Sequence, residues 1–521
     1  PGDVERLAPG ASIRVHCDGP WCLCADRVDH ATWDTPGVHL YGIAFKRCYR
    51  VGNCLTNAHN AFCLRHASAV PNPIQVFPWQ GGFFRTQLPE LAHWYHYFLG
   101  SAEAPWRDGK TQARLAQIDA SLAFGHYDMR VVKPHVKSEV SLSRPTKARL
   151  IQAYQNDCAS YIHATEYRAL HKAVIMLCTR PFNGVLPIHV QMASGLTHVD
   201  ISCEMWRMFE LYGLRFVYWH ESDGKNWDST VQAAHRHWLW SIYFYLSSDL
   251  YRHASQCTQA TGHIRGRGAM AFAWLVYVVM WTVFSGHQDT TVGNGMLRVE
   301  GAHATITGLP LSLRPDRAFG FVQGDDSLLA LCYHQPKDLT LLRDTLDMLE
   351  RRSGMTPSSA TFECLSQASF LSAAFAPSSS GLHMFPLPGR VLAKLFWSVL
   401  SVPPRRQASY IRQIAESMRP VFRGFHAITE FLDWHVQAPD LEWHIEHKPH
   451  RLAPNGVVDW DTFVNQRYSV PNLPQGEMAA FLAVLTPGQS YLCSHPWAHH
   501  IIRVDLSDPA DRVNTSLTPF S

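Results

Sequence analysis

Three short stretches carry side chains able to do chemistry together. In HESDGKNWDSTV, Asp223 follows an apolar run and Asp228 comes at the start of a helical pattern. In FVQGDDSLL, Asp325 and Asp326 sit beside Gly324 between two apolar runs. Nucleotidyl transfer needs two divalent cations, one to activate the attacking 3′-oxygen and one to stabilise the leaving pyrophosphate. Magnesium takes oxygen ligands and uses few protein carboxylates, the rest being phosphates and water. A few aspartates on adjacent strands therefore suit it better than a Cys/His cage. Neighbouring strand residues face opposite ways, which makes Asp325 the main second ligand and Asp326 an auxiliary one. Alone, each acid reads as an ordinary turn aspartate.

Between the acids lies SGHQDTTVGNGML. Ser285-Gly286 ends a long apolar run, and Thr290, Thr291 and Asn294 open a helix. Thr290 and Asn294 are four apart and share a face. Hydroxyl and amide groups there can reach a ribose 2′-OH, which separates RNA from DNA. The bland alternative is a loop with an N-cap. A basic stretch, KSEVSLSRPTKARLIQ, places Lys137, Arg144, Lys147 and Arg149 among few acids. Such cations can neutralise and orient a triphosphate; by itself the stretch reads as a solvated face.

The elements that must position these groups follow from periodicity. Leu214–Trp219 predicts a buried strand, and Ser229–Leu246 an aromatic-rich amphipathic helix. Residues 156–180 read as helix, and so does Thr290–Val299. Ala318–Cys332 predicts a hairpin turning at Gly324. Leu341–Arg352 is helical, and Phe370–Met384, with PSSSG at its middle, predicts a second hairpin. Helical patterns resume after Arg390. An α+β chain around a central antiparallel sheet fits this order.

The three blocks resemble motifs A, B and C of the RNA-dependent RNA polymerases of positive-strand RNA viruses, closest to the flavivirus and pestivirus type. By that resemblance Asp223, Asp325 and Asp326 are catalytic and hold Mg2+, with Mn2+ as a substitute. Asp228, Ser285, Thr290 and Asn294 sense the incoming ribose. The basic stretch resembles motif F, so Arg149, Lys137 and Lys147 are expected on the triphosphate. GMTPSSATFECLSQASFLSAAF resembles motifs D and E, with Phe370-Leu371-Ser372 as the primer-grip hairpin. The family's motif D lysine is missing: no lysine occurs from Asp338 to Ala393. Arg351 and Arg352 are then candidates to stabilise the pyrophosphate charge. Trp497 and His499 are candidates for a platform under the first nucleotide.

The resemblance implies a right hand with encircling fingertips. Residues 1–213 are expected as fingers, 214–232 as palm, 233–284 as fingers, 285–389 as palm, and 390–521 as thumb and tail. Implied partners are RNA template and product, rNTPs and other viral replication proteins, with membrane association only indirect. The implied location is the host cell cytoplasm, in a replication complex. Two other readings compete. A reverse transcriptase shares the two-metal site, but Asp228 and Asn294 suit a ribose 2′-OH. A zinc-stabilised RNA-binding protein would use Cys17, Cys22, Cys24, Cys48, Cys54, Cys63 and His66, although no C-x-x-C pair occurs among them.

Composition limits the rest. The chain has 521 residues, 46% hydrophobic and 17% charged, so it is globular and long enough for about three or four structural units. A net charge of +3 does not announce a nucleic-acid binder, and any basic field must be local. Thirteen cysteines without a framework point to free thiols in a reducing compartment. The chain opens at Pro1, which reads as a processed or trimmed product. The longest apolar run, Ala269–Phe284, falls just short of the roughly 18 residues of a membrane helix and reads as buried core.

Overall fold

The computed structural model describes residues 82–124 apart from 109, 131–137, 140–141, 150–212 apart from 155–156, 181 and 184–185, 215–256 apart from 226, 259–265, 274–281, 286, 289–437 apart from 396 and 399–401, 454–514 apart from 455 and 490, and short pieces between 12 and 75. The protein is a mixed α and β structure. At its centre lies a six-stranded sheet of β1 (Phe182–Asn183), β2 (Pro187–Met192), β3 (Phe216–Gly224), β4 (Arg317–Gln323), β5 (Asp326–Tyr333) and β6 (Pro357–Phe362). Their order across the sheet is β6-β3-β5-β4-β2-β1.

The sheet is not wholly antiparallel, which corrects the expectation. β2 runs parallel to β4, while the other pairs are antiparallel. Strand periodicity carries no direction, and the long stretch between β2 and β4 is ample for a crossover.

Both faces of the sheet are covered. Leu329, Leu331 and Tyr333 of β5 join one core with Val190, Tyr218 and Val322. Leu328, Ala330 and Cys332 join another with Trp219, Phe319 and Phe321. This explains the unbroken apolar run SLLALCY: a strand buried on both sides has no polar face to alternate with. The first face packs on the helices Arg168–Cys178, Thr290–Gly308 and Leu339–Arg352. The second packs on the helix His198–Tyr212 and the hairpin Ala373–Ser378/Gly381–Pro386.

A third core gathers the C-terminal helices Pro404–Met418, His426–Val436, Trp460–Tyr468 and Pro496–Leu506. Ile43 and Phe45, remote in the chain, complete it. A separate five-stranded sheet joins Ser12–His16, Trp274–Met280, Gln259–Arg265, Val131–Val136 and Leu150–Tyr154. Part of the long apolar run is thus a strand, paired on both sides. No helix among the described residues is long and apolar enough to cross a membrane.

Several predicted elements shift. β3 runs on past Trp219 to Gly224, so Asp223 lies within the strand rather than just beyond it. Pairing on both sides, to β5 and β6, keeps the polar end of the strand extended. The helix predicted from Ser229 is two: Trp227–Thr230, then Ala233–Leu246. Gln232, with extended backbone, starts the second through a reciprocal cap with His235.

Candidate active site

Register brings the acids together. Asp223 on β3 stands opposite Asp326 on β5. Asp325 occupies the β4–β5 turn, where Gly324 takes φ +62°. A two-residue hairpin with glycine first needs that left-handed value. The N–H of Gly224 donates to the Asp325 carbonyl at 3.1 Å, tying the end of β3 to the turn. A Cβ at Gly224 would lie 2.4 Å from the Trp227 ring and 3.4 Å from Asp325 Cβ, so only glycine fits there.

Asp223, Asp325 and Asp326 line one cavity of about 710 Å³ with Asp228, Thr290, Thr291 and Asn294. Asp228 and Asn294 are buried, and Asn294 Oδ1 has no hydrogen-bond partner among the described residues. An orphaned buried acceptor on a cavity wall is a costly group waiting for a donor.

The cavity holds residues that motif reading missed. Glu221, buried, is two before Asp223 and shares its face of β3, a period-two signal visible in the sequence. It accepts from Ser369 N–H and Ser369 Oγ, both at 2.8 Å, and from Arg512 at 2.5 Å. Arg390, Asp505 and Arg512 also line the cavity. They come from the C-terminal part of the chain, and nothing local announced them.

Leu371 and Ser372 form a tight turn with φ of +53° and +61°. Phe370 and Ala373 exchange both backbone bonds across it at 2.9 Å. Such a turn favours Gly or Asn, so here it is imposed from outside. Leu371 N–H donates to Asp326 at 2.7 Å, and Arg390 donates to Ser372 Oγ at 2.7 Å. Burial, with the negative charges of Asp223, Glu221 and Asp325 beside it, raises Asp326 well above the usual carboxylate range, against that N–H bond.

These donors are oxygens, and their charges repel one another, which suits a hard divalent cation. Among the described residues, no group of three or more His, Cys, Asp or Glu forms a ready-made metal cage. Magnesium does not need one, because phosphates and water complete its shell. Asp223, Asp325 and Asp326 therefore fit the ion as partial ligands.

Other predicted residues lie elsewhere. Ser285, Arg144, Lys147 and Arg149 fall outside the described residues, as do Cys17, Cys22, Cys24, Cys54 and His66. Lys137, half-buried, follows the strand Val131–Val136 and does not line the cavity. Trp497 is no platform: it is buried, donates to the Pro471 carbonyl at 3.2 Å and packs near Phe425. His499 meets the edge of Phe45 rather than the cavity. Arg351 pairs with Asp347 at 2.7 Å on the helix surface, and neither it nor Arg352 reaches the cavity. Cys48 is a buried thiol donating to the Ala393 carbonyl at 3.3 Å, and burial pushes its pKa up to about 12. That makes it a poor metal ligand.

No protein-family model matches the chain, and no curated protein does.

Proposed function

We propose that the chain is a viral RNA-dependent RNA polymerase of the right-hand type. One observation carries the reading. Asp223 and Asp325-Asp326 meet across paired strands, in one cavity with Asp228 and the unpartnered amide oxygen of Asn294. In this reading the six-stranded sheet is the palm, the C-terminal helical core the thumb, and the five-stranded sheet part of the fingers.

Asp223, Asp325 and Asp326 would hold Mg2+, or Mn2+ in its place. When bound, the ions make the 3′-hydroxyl a nucleophile and neutralise the departing pyrophosphate. The chain's own residues do the rest. Asn294 Oδ1 can accept a hydrogen bond from the ribose 2′-OH, and Asp228 stands in the same wall. A deoxyribose would leave the Asn294 acceptor unpaired, which is how a polar site rejects the analogue lacking a hydroxyl. Gly224 lets the Trp227 ring and the Asp325 turn close on each other. Arg390, a cation in a cavity of acids, is placed to receive a phosphate.

A template assay tests this. Purified protein with a defined RNA template, Mg2+ and labelled rNTPs should yield template-length RNA, with and without a primer. Preference for dNTPs would favour reverse transcription. No incorporation of either by folded protein would overturn the polymerase reading.

A further inference from the structure

Arg298 stands one helical turn after Asn294 in the helix Thr290–Gly308, and it is buried. Its guanidinium reaches the strands that carry Asp223 and Asp326 and the short helix that carries Asp228. One nitrogen donates to the Ser222 carbonyl and to Ser327 Oγ, both at 2.8 Å. Another lies 3.5 Å from the Glu350 carboxylate. The guanidinium carbon sits 5.7 Å from the centre of the Trp227 ring. In sequence, Ser222 precedes Asp223, Ser327 follows Asp326, and Trp227 precedes Asp228.

Glu350 completes the cluster from the helix Leu339–Arg352. It accepts from Ser222 Oγ at 2.6 Å and lies 3.7 Å from His220 Nε2. Burial alone would raise its pKa; Arg298, His220 and Ser222 together lower it to about 2. Beside the cluster is a cavity of about 10 Å³ lined by Trp227, Arg298, Thr305 and Glu350, among others. Arg298 Nε and Trp227 Nε1 have no partner among the described residues. One ordered water is about what such a space admits.

A buried ion pair is weak ground for stability, because desolvation offsets most of the Coulomb attraction. Here the pair instead fixes geometry. We propose that Arg298, held by Glu350, is a positioning residue that sets the spacing of Asp223, Asp228 and Asp326 relative to Asn294. Ribose sensing and metal holding then move as one unit, since a single side chain ties the Asn294 helix to both acid-bearing strands. The inference rests on the polymerase reading for its chemistry. The tie between the acids is a matter of geometry alone. Displacement of catalytic groups by about 1 Å can cost on the order of 100-fold in rate.

Three variants test it: Arg298→Lys, Glu350→Gln, and the double variant Arg298→Met/Glu350→Met. Each is read by melting temperature, single-turnover rate and KM, the rNTP-over-dNTP ratio, and Mn2+ binding by electron paramagnetic resonance. The double variant replaces the pair with apolar bulk and should keep or raise the melting temperature. Its rate should nevertheless fall at least about 10-fold, with a smaller sugar ratio and several-fold weaker Mn2+ binding. Arg298→Lys keeps charge but loses the fork, and should show the same pattern more mildly while folding normally. A folded double variant with wild-type rate, sugar ratio and Mn2+ affinity would overturn the proposal, as would losses in all variants that merely track melting temperature. If wild-type protein polymerises nothing, the functional reading fails. The Mn2+ titration then still decides whether Arg298 sets the carboxylate spacing.

Discussion

Asp325 stands at a turn, half-exposed, with no core volume to lose. Asp325→Asn should therefore abolish nearly all nucleotide incorporation while leaving the melting temperature within a degree or so, because it removes charge and not packing. Normal turnover by the folded variant would sink the metal assignment. Asn294 differs, since it is buried with its amide oxygen unpartnered. Asn294→Ala should narrow the rNTP-over-dNTP preference by roughly 10-fold or more, the scale of losing one well-placed polar contact. The kcat/KM values for the two sugars on one template measure this directly; an unchanged ratio removes Asn294 from sugar recognition.

At the scale of the element, the helix Thr290–Gly308 joins the cavity, the strands beneath it and the short helix at Phe83. Its N-terminal turn presents Thr290 and Asn294 to the cavity, its middle sends Arg298 under the strands, and Glu300 binds the start of the short helix Phe83–Thr86. Glu300 accepts from the N–H groups of Phe83 and Phe84 at 3.0 and 3.1 Å. Burial raises its pKa to about 7, against those two bonds and Arg85. A carboxyl raised in the folded state takes its proton more readily there than in the unfolded chain. Its contribution to stability is thus greatest below about pH 4.5 and is lost as pH rises towards about 7. Glu300→Gln should remove that slope. The comparison to make is the wild-type minus Glu300→Gln melting-temperature difference across this window, since buried histidines such as His235, lowered to about 4, tilt the total the other way. A difference that stays flat with pH would show that Glu300 ionises freely in the fold.

Across the whole molecule, the C-terminal segment returns to the six-stranded sheet. The helix Pro509–Asn514 lies along β6, and Arg512 meets the buried Glu221. Asp508 pairs with Lys225 at 2.7 Å, and Ser358 of β6 donates to Asp508 as well. Farther in, Arg467 donates to Asp505 at 2.8 Å and to the Ser366, Gln367 and Ala368 carbonyls. The last core is thereby clamped to the strand bearing Asp223. Arg512→Ala should leave Glu221 buried without its cation, at roughly 3–5 kcal/mol. Chemical unfolding of the variant reads this; a loss under about 1 kcal/mol would show that Glu221 is satisfied by Ser369 and solvent alone. The segment that resembles motif D belongs to the same contact, because Ser358 donates to Asp508. A lysine introduced at Ser358 should pair with that aspartate, so it should raise single-turnover chemistry far less than the 10²–10⁴-fold typical of a general acid.

What the sequence determined by itself was local. Gly324 between two apolar runs dictated a hairpin, because a tight turn with glycine first leaves few other choices. Apolar residues at helical and strand periods dictated most of the elements, and the order of the three acid and amide blocks carried the functional expectation. Glu221 was legible too, two residues from Asp223. The tertiary structure decided what local pattern cannot encode. Strand direction was one such matter: β2 runs parallel to β4 although its residues alternate as any strand's do. Trp497 was another, since an aromatic side chain reads alike whether it lines a cavity or fills a core. Arg298, Arg390, Asp505 and Arg512 show the reason most clearly. Each looks like an ordinary charge in its own helix, and each acquires its role only through partners tens or hundreds of residues away. Coulomb and hydrogen-bond energies depend on distance in space, so those roles exist only once the chain has closed on itself.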